Sequence, residues 1–347
     1  MTAATATPAT PGPTAPSAQA RRDARIARLR YWGLPLMIIA LLLFFGITQP
    51  AFASVANGFG ILKSITVITV IACAATLSMA VDGFDLSVGT NAGLAMMLSA
   101  IAMVVWQQGV VVAVGVALVG GVVIGLFNAL LIVGLRVPDL LATLATLFVV
   151  QGFQLVITGG RSVSTGMSLG DGQVATGAFD PAFLWLGRGS IGPVPVPVIL
   201  MLLVVLVLHA FLMLTRHGRA MYATGANREA SRLAGIRVDR YRALAYVGAG
   251  MIAAFGGVLL AAQVGRGDVG SGNPYLLDAV AATLIGFAAF NQHRANAIGT
   301  LLGAVFLGVI LNGLTMANLP YYAQDLVKGL VLAGALVVTF SSRRDRR

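Results

Sequence analysis

Ten apolar runs, most of them about as long as a bilayer crossing and set apart by polar breaks, govern what this 347-residue chain can fold into. They fall near residues 32–50, 61–81, 86–106, 110–135, 138–157, 193–215, 241–263, 276–290, 298–316 and 321–340. A helix needs roughly 20 mostly apolar residues to cross the hydrocarbon region, and inside lipid only a helix or a closed barrel satisfies every backbone polar group. Composition agrees. The chain is 58% hydrophobic and 10% charged, whereas soluble domains are about 45–50% apolar and about 25% charged. The expected fold is all-α, a polytopic membrane protein of about ten transmembrane helices, with the lipid bilayer as its first partner.

The net charge of +11 follows topology rather than a nucleic-acid partner, and none is expected. Only Lys63 and Lys328 are lysines among the 23 basic residues, and most of the arginines gather at 21–30, 216–242 and 343–347. Basic clusters beside spans mark the cytoplasmic side of a membrane protein. An even number of spans puts both termini on that side. The tails, Arg136, the 216–242 loop and Arg294 then hold 18 arginines there, against Arg161, Arg188 and Arg266 opposite. The expected organisation is a disordered cytoplasmic tail over 1–31, a membrane domain over 32–340 with a cytoplasmic loop at 216–242, and a basic cytoplasmic tail at 341–347. Residues 1–20 are rich in Ala, Thr and Pro and lack the apolar core of a signal peptide.

Groups able to do chemistry are few. A lone Cys73 excludes an intrachain disulfide and a cysteine-based metal site, and His209, His217 and His293 show no HxxxH spacing. No catalytic residue, metal or cofactor is expected, so an integral membrane enzyme is disfavoured. Transport against a gradient needs an energy source. A P-loop needs Gly-Lys-Ser/Thr, but Lys63 follows Leu62 and Lys328 follows Val327. Ion coupling instead needs ionisable groups facing a cavity. Asp325 and Lys328, three residues apart on one expected helix, can neutralise each other. Asp139 follows Pro138 at a helix start and reads as a cap there. Asp278 lies just inside its run, near the interface.

The segment Val81-Asp82-Gly83-Phe84-Asp85-Leu86-Ser87-Val88-Gly89 sets two carboxylates between two apolar runs. One reading is a broken helix restarted by Asp85 as N-cap, its carboxylate accepting a free backbone N–H. The other gives Asp82, Asp85 and Ser87 contact with the solute path or its gate, and a stand-alone ion-coupled transporter would use Asp82 and Asp85. Asn91, Asn128, Thr143, Thr146, Gln151 and Asn312 are polar side chains within spans. Each can line a path or hydrogen-bond between helices. The small pairs Gly121/Gly125 and Gly299/Gly303 stand one turn apart and let backbones approach, either within one bundle or at a subunit interface.

Residues 216–242 read RHGRAMYATGANREASRLAGIRVDRYR, too polar for a span and longer than a minimal connector. Within them Asn227 can cap a short helix running to Ala234, with Glu229 near its positive end and Gly235 placed to stop it. Isolated helices under about 12–15 residues are marginal in water. Such a helix needs a surface to lie against, and a groove on a partner supplies one; the bland alternative is a solvated basic loop.

In five stretches taken in order, FDLSVGTNAGLAMML (84–98), VPDLLATLATLFVVQGFQLVITGG (137–160), GRAMYATGANREASRLAGIRVDRYR (218–242), YLLDAVAATLIG (275–286) and IGTLLGAVFLGVILNGL (298–314), the chain resembles the permease subunits of ribose/xylose-type sugar ABC importers. The resemblance covers roughly residues 33–340. It implies ten membrane helices in a bacterial inner-membrane protein, a second permease subunit forming a homo- or heterodimer around the solute path, a separate ABC ATPase subunit, and a periplasmic or extracytoplasmic solute-binding protein. It also implies that the ATPase couples through Asn227, Glu229, Ala230, Arg232 and Gly235. The family usually carries Gly-Gly-Ile before Asp-Leu-Ser, where this chain has Asp82-Gly83-Phe84. It usually carries Tyr-Glu-Leu-Asp, where this chain has Tyr275-Leu276-Leu277-Asp278. A Gly-Gly pair is here Gly286-Phe287, and a Gly-rich turn has become Asn291-Gln292-His293-Arg294-Ala295. The implied function is ATP-driven uptake of a monosaccharide or similar small polar solute.

Overall fold

The structure, a computed structural model, describes residues 18–170, 173–289, 294–320, 322–330 and 333–334, and their side chains from residue 32 onward except at 169, 170, 173 and 289. Its helices are α1 (Ala18–Thr48), α2 (Val55–Ser64), α3 (Thr66–Met79), α4 (Val88–Ala100), α5 (Val110–Ala129), α6 (Asp139–Thr158), α7 (Pro181–Arg188), α8 (Val196–Leu214), α9 (Arg216–Ala226), α10 (Arg228–Leu233), α11 (Val238–Val264), α12 (Gly272–Ala289) and α13 (Ala297–Met316). Wider π-helical turns end α4 at Ile101–Val105 and α5 at Leu130–Gly134. The 341–347 tail and residues 1–17 lie outside the described residues, and α1 begins at Ala18, inside the stretch expected to be disordered.

The all-α membrane class holds, and the expected count of about ten spans is met only in part among the described residues. Among the described residues six helices are long and apolar enough to cross a bilayer, seven if α2 and α3, bent by 43° at Ile65, form one broken span. In two of the remaining runs the shortfall has a local cause. The apolar part of α1, Trp32–Thr48, is shorter than the others. In α12 the first two turns carry Gly272, Asn273, Pro274 and Asp278, which dilute an otherwise apolar helix. The run 321–340 lies partly outside the described residues.

Helix α11 is the axis on which α3, α4, α5 and α7 pack. Close approach comes from missing side chains. A Cβ on Gly121 would strike Ala254 and the Gly250 carbonyl, and one on Gly125 would strike the Tyr246 and Val247 backbone. These glycines therefore serve packing of α5 on α11 within the chain. The same holds between α12 and α13, where a Cβ on Gly286 would strike the Gly299 carbonyl and one on Gly303 the Ala282 carbonyl. In lipid, where association gains nothing from excluding water, such close contact and interhelical hydrogen bonds hold a bundle together. Thr76 and Thr300 supply one such bond between α3 and α13 at 2.6 Å, and Thr283 donates to the Ala72 carbonyl at 3.1 Å. Outward-facing Leu140, Leu144, Phe148 and Val149 leave one side of α6 open.

The segment after α6 closes one end of the bundle. Two small antiparallel hairpins, β1 (Ser168–Gly170) with β2 (Gln173–Val174) and β3 (Ser190–Ile191) with β4 (Val194–Pro195), flank α7. Asp180 caps α7 by accepting from the Ala182 N–H at 2.8 Å. Arg188 then donates to the Gln263 and Val264 carbonyls at 2.9 and 2.6 Å. Those are free acceptors at the C-terminus of α11, where a cation also meets the negative end of the helix dipole.

Candidate functional site

At the other end, the 216–242 loop folds as α9, α10 and the first turn of α11. Asn227 sits in the cap position of α10, its Oδ1 accepting from the Ala230 N–H at 2.9 Å. Gly235 takes φ +80, a left-handed conformation that glycine adopts without steric cost. The turn it makes lets the Ile236 N–H reach the Ser231 carbonyl at 2.9 Å. Arg232 pairs with Glu229 at 3.3 Å and with Asp239 of α11 at 3.2 Å. Ser231 is buried against the protein, while Glu229, Ala230, Arg232 and Leu233 face outward. Leu233 is 90% exposed.

Tyr222 anchors α9 by donating to the Ala295 carbonyl at 2.8 Å, with the Arg294 guanidinium 5.4 Å from its ring centre. Burial pushes the Tyr222 phenol up to about 12, and the Arg294 charge pulls the other way, so the hydroxyl keeps the proton it donates.

Arg228, the first residue of α10, ties the loop to the bundle. Its Nη2 donates to the Asp82 carbonyl at 2.9 Å and lies 3.9 Å from both the Asp82 and Asp139 carboxylates. Asp139 stands in the first turn of α6, where its charge meets the positive end of the helix; it makes no side-chain cap hydrogen bond, and its carboxylate is taken up by partners on α11. Its Oδ1 meets Arg242 Nη2 at 2.6 Å, and its Oδ2 accepts from the Tyr246 hydroxyl at 2.8 Å. Arg242 and Tyr246 are four residues apart on α11, so one helix face presents both donors. Gly83 packs onto this group: a Cβ there would run into the Tyr246 hydroxyl and stand 3.0 Å from Asp139 Oδ2.

The break between α3 and α4 is wired to the same place from inside. Asp82 turns the chain with φ +55, which a short polar residue tolerates better than most. Asp85 does accept a backbone N–H, that of Ser87 at 2.8 Å, but α4 starts later, with Ser87 rather than Asp85 in the cap position. The Ser87 hydroxyl donates to Asp85 at 2.6 Å and accepts from Asn128 Nδ2 at 2.8 Å. Thr143 Oγ1 accepts from the Leu86 N–H at 3.1 Å and lies 2.9 Å from the Asp139 carbonyl. Asp85, Ser87, Asn128 and Thr143 are all buried, so four of the expected residues form one cluster joining the break to α5 and α6.

The other expected residues lie elsewhere. Asn91 donates to the Gly250 carbonyl at 3.1 Å and so braces α4 on α11. Thr146 turns back onto the Ala142 carbonyl of its own helix at 3.0 Å. Gln151 is half-buried; one turn along, the buried Gln154 makes the interhelical contact instead, donating to the Thr90 carbonyl at 2.9 Å. Asn312 and Asn57 exchange amide bonds at 3.0 and 3.1 Å between α13 and α2. Lys328 lies 3.6 Å from Asp325, as the spacing suggests, but closer to Asp278 of α12, at 3.1 Å. Sequence reasoning missed Arg228, Arg242, Tyr246 and Gln154. The i, i+4 placement of Arg242 and Tyr246 was the available signal, but nothing local pointed from it to Asp139.

Comparison with known proteins places this geometry. The family model described as "Branched-chain amino acid transport system / permease component" matches residues 57–336. The chain belongs to this permease family. The ribose import permease protein RbsC of Escherichia coli K12 is 33% identical over 87% of this chain and 92% of its own length. RbsC of Bacillus subtilis strain 168 is 32% identical over 87% and 90%. The autoinducer 2 import system permease protein LsrC of Salmonella typhi is 31% identical over 87% and 83%. No solved structure matches the chain. As a member of the family the chain is a multi-helix membrane permease.

Proposed function

We propose that this chain is the membrane-spanning subunit of an ATP-driven, binding-protein-dependent importer of a monosaccharide or similar small polar solute in a bacterial inner membrane. A separate ATPase docks on α10 from the cytoplasm, on the side of both termini. The carrying observation is α10 itself. It is a capped six-residue helix with an almost fully exposed Leu233 on its outside, and Arg228 behind it grips the α3–α4 break and the start of α6. An exposed leucine on a short, rigidly capped helix that projects from a polar loop is what an apolar groove on a partner would receive. Movement of α10 reaches the buried Asp85–Ser87–Asn128–Thr143 cluster through Arg228, Asp82 and Asp139. The relatives named for ribose and autoinducer 2 import support a small polar solute.

A solute-binding protein delivers the solute at the α7 end. A second permease subunit, identical or sibling, faces the open side of α6. Asp82, Asp85, Ser87, Asn91, Asn128, Thr143, Thr146, Gln151 and Asn312 remain the pathway and gating candidates, those of the cluster first. The ion-coupled alternative requires a carboxylate free to exchange protons across the membrane, whereas Asp85 is taken up by Ser87 and Asp82 sits against Arg228. Uptake into vesicles tests the reading. It must require ATP and the ATPase subunit and survive collapse of the proton gradient; uptake driven by that gradient with no ATPase present overturns it.

A further inference from the structure

A cleft of about 690 Å³ opens between α8 and α11 on the outside of the bundle. Leu203, Val207 and Phe211 form one wall and Leu244, Met251 and Phe255 the other, with Leu77 of α3 lining it behind them. Each wall is a lengthwise stripe of one helix, since residues three or four apart share a face. The stretch from Leu244 to Phe255 rises roughly 16 Å at 1.5 Å per residue. That is close to one leaflet, half of the roughly 30 Å hydrocarbon thickness. Spread over that length, the cleft volume of about 690 Å³ has a cross-section of roughly 40 Å², about half that of a helix about 10 Å across. The space is too narrow for another transmembrane helix and has the proportions of a lipid chain.

Its mouth lies where α8 gives way to α9. His217, the second residue of α9, lines the cleft at this end, with Nδ1 3.5 Å from the Tyr241 hydroxyl. Arg216 precedes His217, and Arg240 stands one turn before Leu244 on the stripe that lines the cleft. Both arginines are exposed, and among the described residues neither makes an ion pair. The nearest carboxylate in sequence, Asp239, is already held by Arg232 at 3.2 Å. The entrance is thus cationic without an internal partner, directly above an apolar slot one leaflet deep.

We infer that this cleft binds an anionic glycerophospholipid, with an acyl chain between α8 and α11 and the phosphate on Arg216, His217 and Arg240. A zwitterionic headgroup brings its own cation to the same place and gains less. Basic side chains beside an anionic lipid surface favour binding by roughly fivefold each, so two free arginines predict a preference of roughly 25-fold.

The full chain, purified in detergent, is incubated with phosphatidylglycerol or phosphatidylcholine of identical acyl chains, and the lipid retained is counted by native mass spectrometry. Phosphatidylglycerol should be retained roughly 25-fold more. The double substitution Arg216→Gln/Arg240→Gln should bring it down to the phosphatidylcholine level, and Leu244→Trp, which fills the slot, should lower both. Leu244 is 53% exposed, so this variant keeps the fold, which its unfolding temperature verifies. Equal retention of the two lipids by the unaltered chain, or charge variants that change nothing, overturns the inference. So does an interchain disulfide formed by Val207→Cys or Met251→Cys, which would put a second copy over the cleft; the native Cys73 is fully buried and contributes no background.

Discussion

Arg242 and Asp139 join the first turn of α11 to the first turn of α6 through a contact of 2.6 Å between Nη2 and Oδ1, with only 11% and 16% of the two side chains exposed. Removing one member of a pair this deep strands the other charge, a loss of about 3–5 kcal/mol. Asp139→Ala should therefore lower thermal stability in detergent markedly. The double variant Asp139→Ala/Arg242→Ala should be closer to the native protein than the two single losses added together, because partners in one network do not add. Additive losses in that cycle would show that the contact carries no coupling.

Arg228 should behave differently, since its side chain is 36% exposed and both carboxylates lie at 3.9 Å. Ion pairs of this kind contribute roughly 0–1 kcal/mol. Arg228→Ala should leave the unfolding temperature nearly unchanged and leave the ATPase subunit bound, while uptake falls tenfold or more because α10 is no longer tied to the α3–α4 break. Uptake within twofold of the native level would remove Arg228 from the coupling route.

Much of this end of the molecule is legible in the sequence and part of it is not, for one physical reason. The capping of α10 by Asn227, its stop at Gly235 and the membrane character of the apolar runs are local patterns, set within four or five residues. The Arg242–Asp139 contact bridges 103 positions in the chain. A carboxylate after Pro138 has a good local role as a helix-start charge, and that role masks the distant one. Among the described residues the span count was off in detail for the same kind of reason. A run's apolar content does not reveal that α2 and α3 bend at Ile65, or that polar residues occupy the opening turns of α12.

Leu233 offers the sharpest separation of docking from folding. With 90% of its surface exposed, its side chain contributes almost nothing to the isolated subunit, and substitutions at such sites usually stay within about 0.5 kcal/mol. Leu233→Asp should keep the native unfolding temperature and abolish co-purification of the ATPase subunit, since a carboxylate entering an apolar groove without a partner is strongly disfavoured. Retained co-purification would place the ATPase contact elsewhere on the loop.

Gly83 tests whether the α3–α4 break is pressed against the ion-pair group. A methyl group there collides with the Tyr246 hydroxyl and crowds Asp139 Oδ2 at 3.0 Å, and overpacking of this kind costs about 1–3 kcal/mol. Gly83→Ala should lower stability by that amount. Tyr246→Phe on its own should also destabilise, by about 1 kcal/mol, because Asp139 Oδ2 loses the hydrogen bond it accepts. Combined, the two should cost less than their sum, since removing the hydroxyl clears the space the methyl needs. The thermal unfolding of the three variants gives the coupling directly, and a sum without interaction would mean that the break and α11 relax apart instead of sharing one rigid contact.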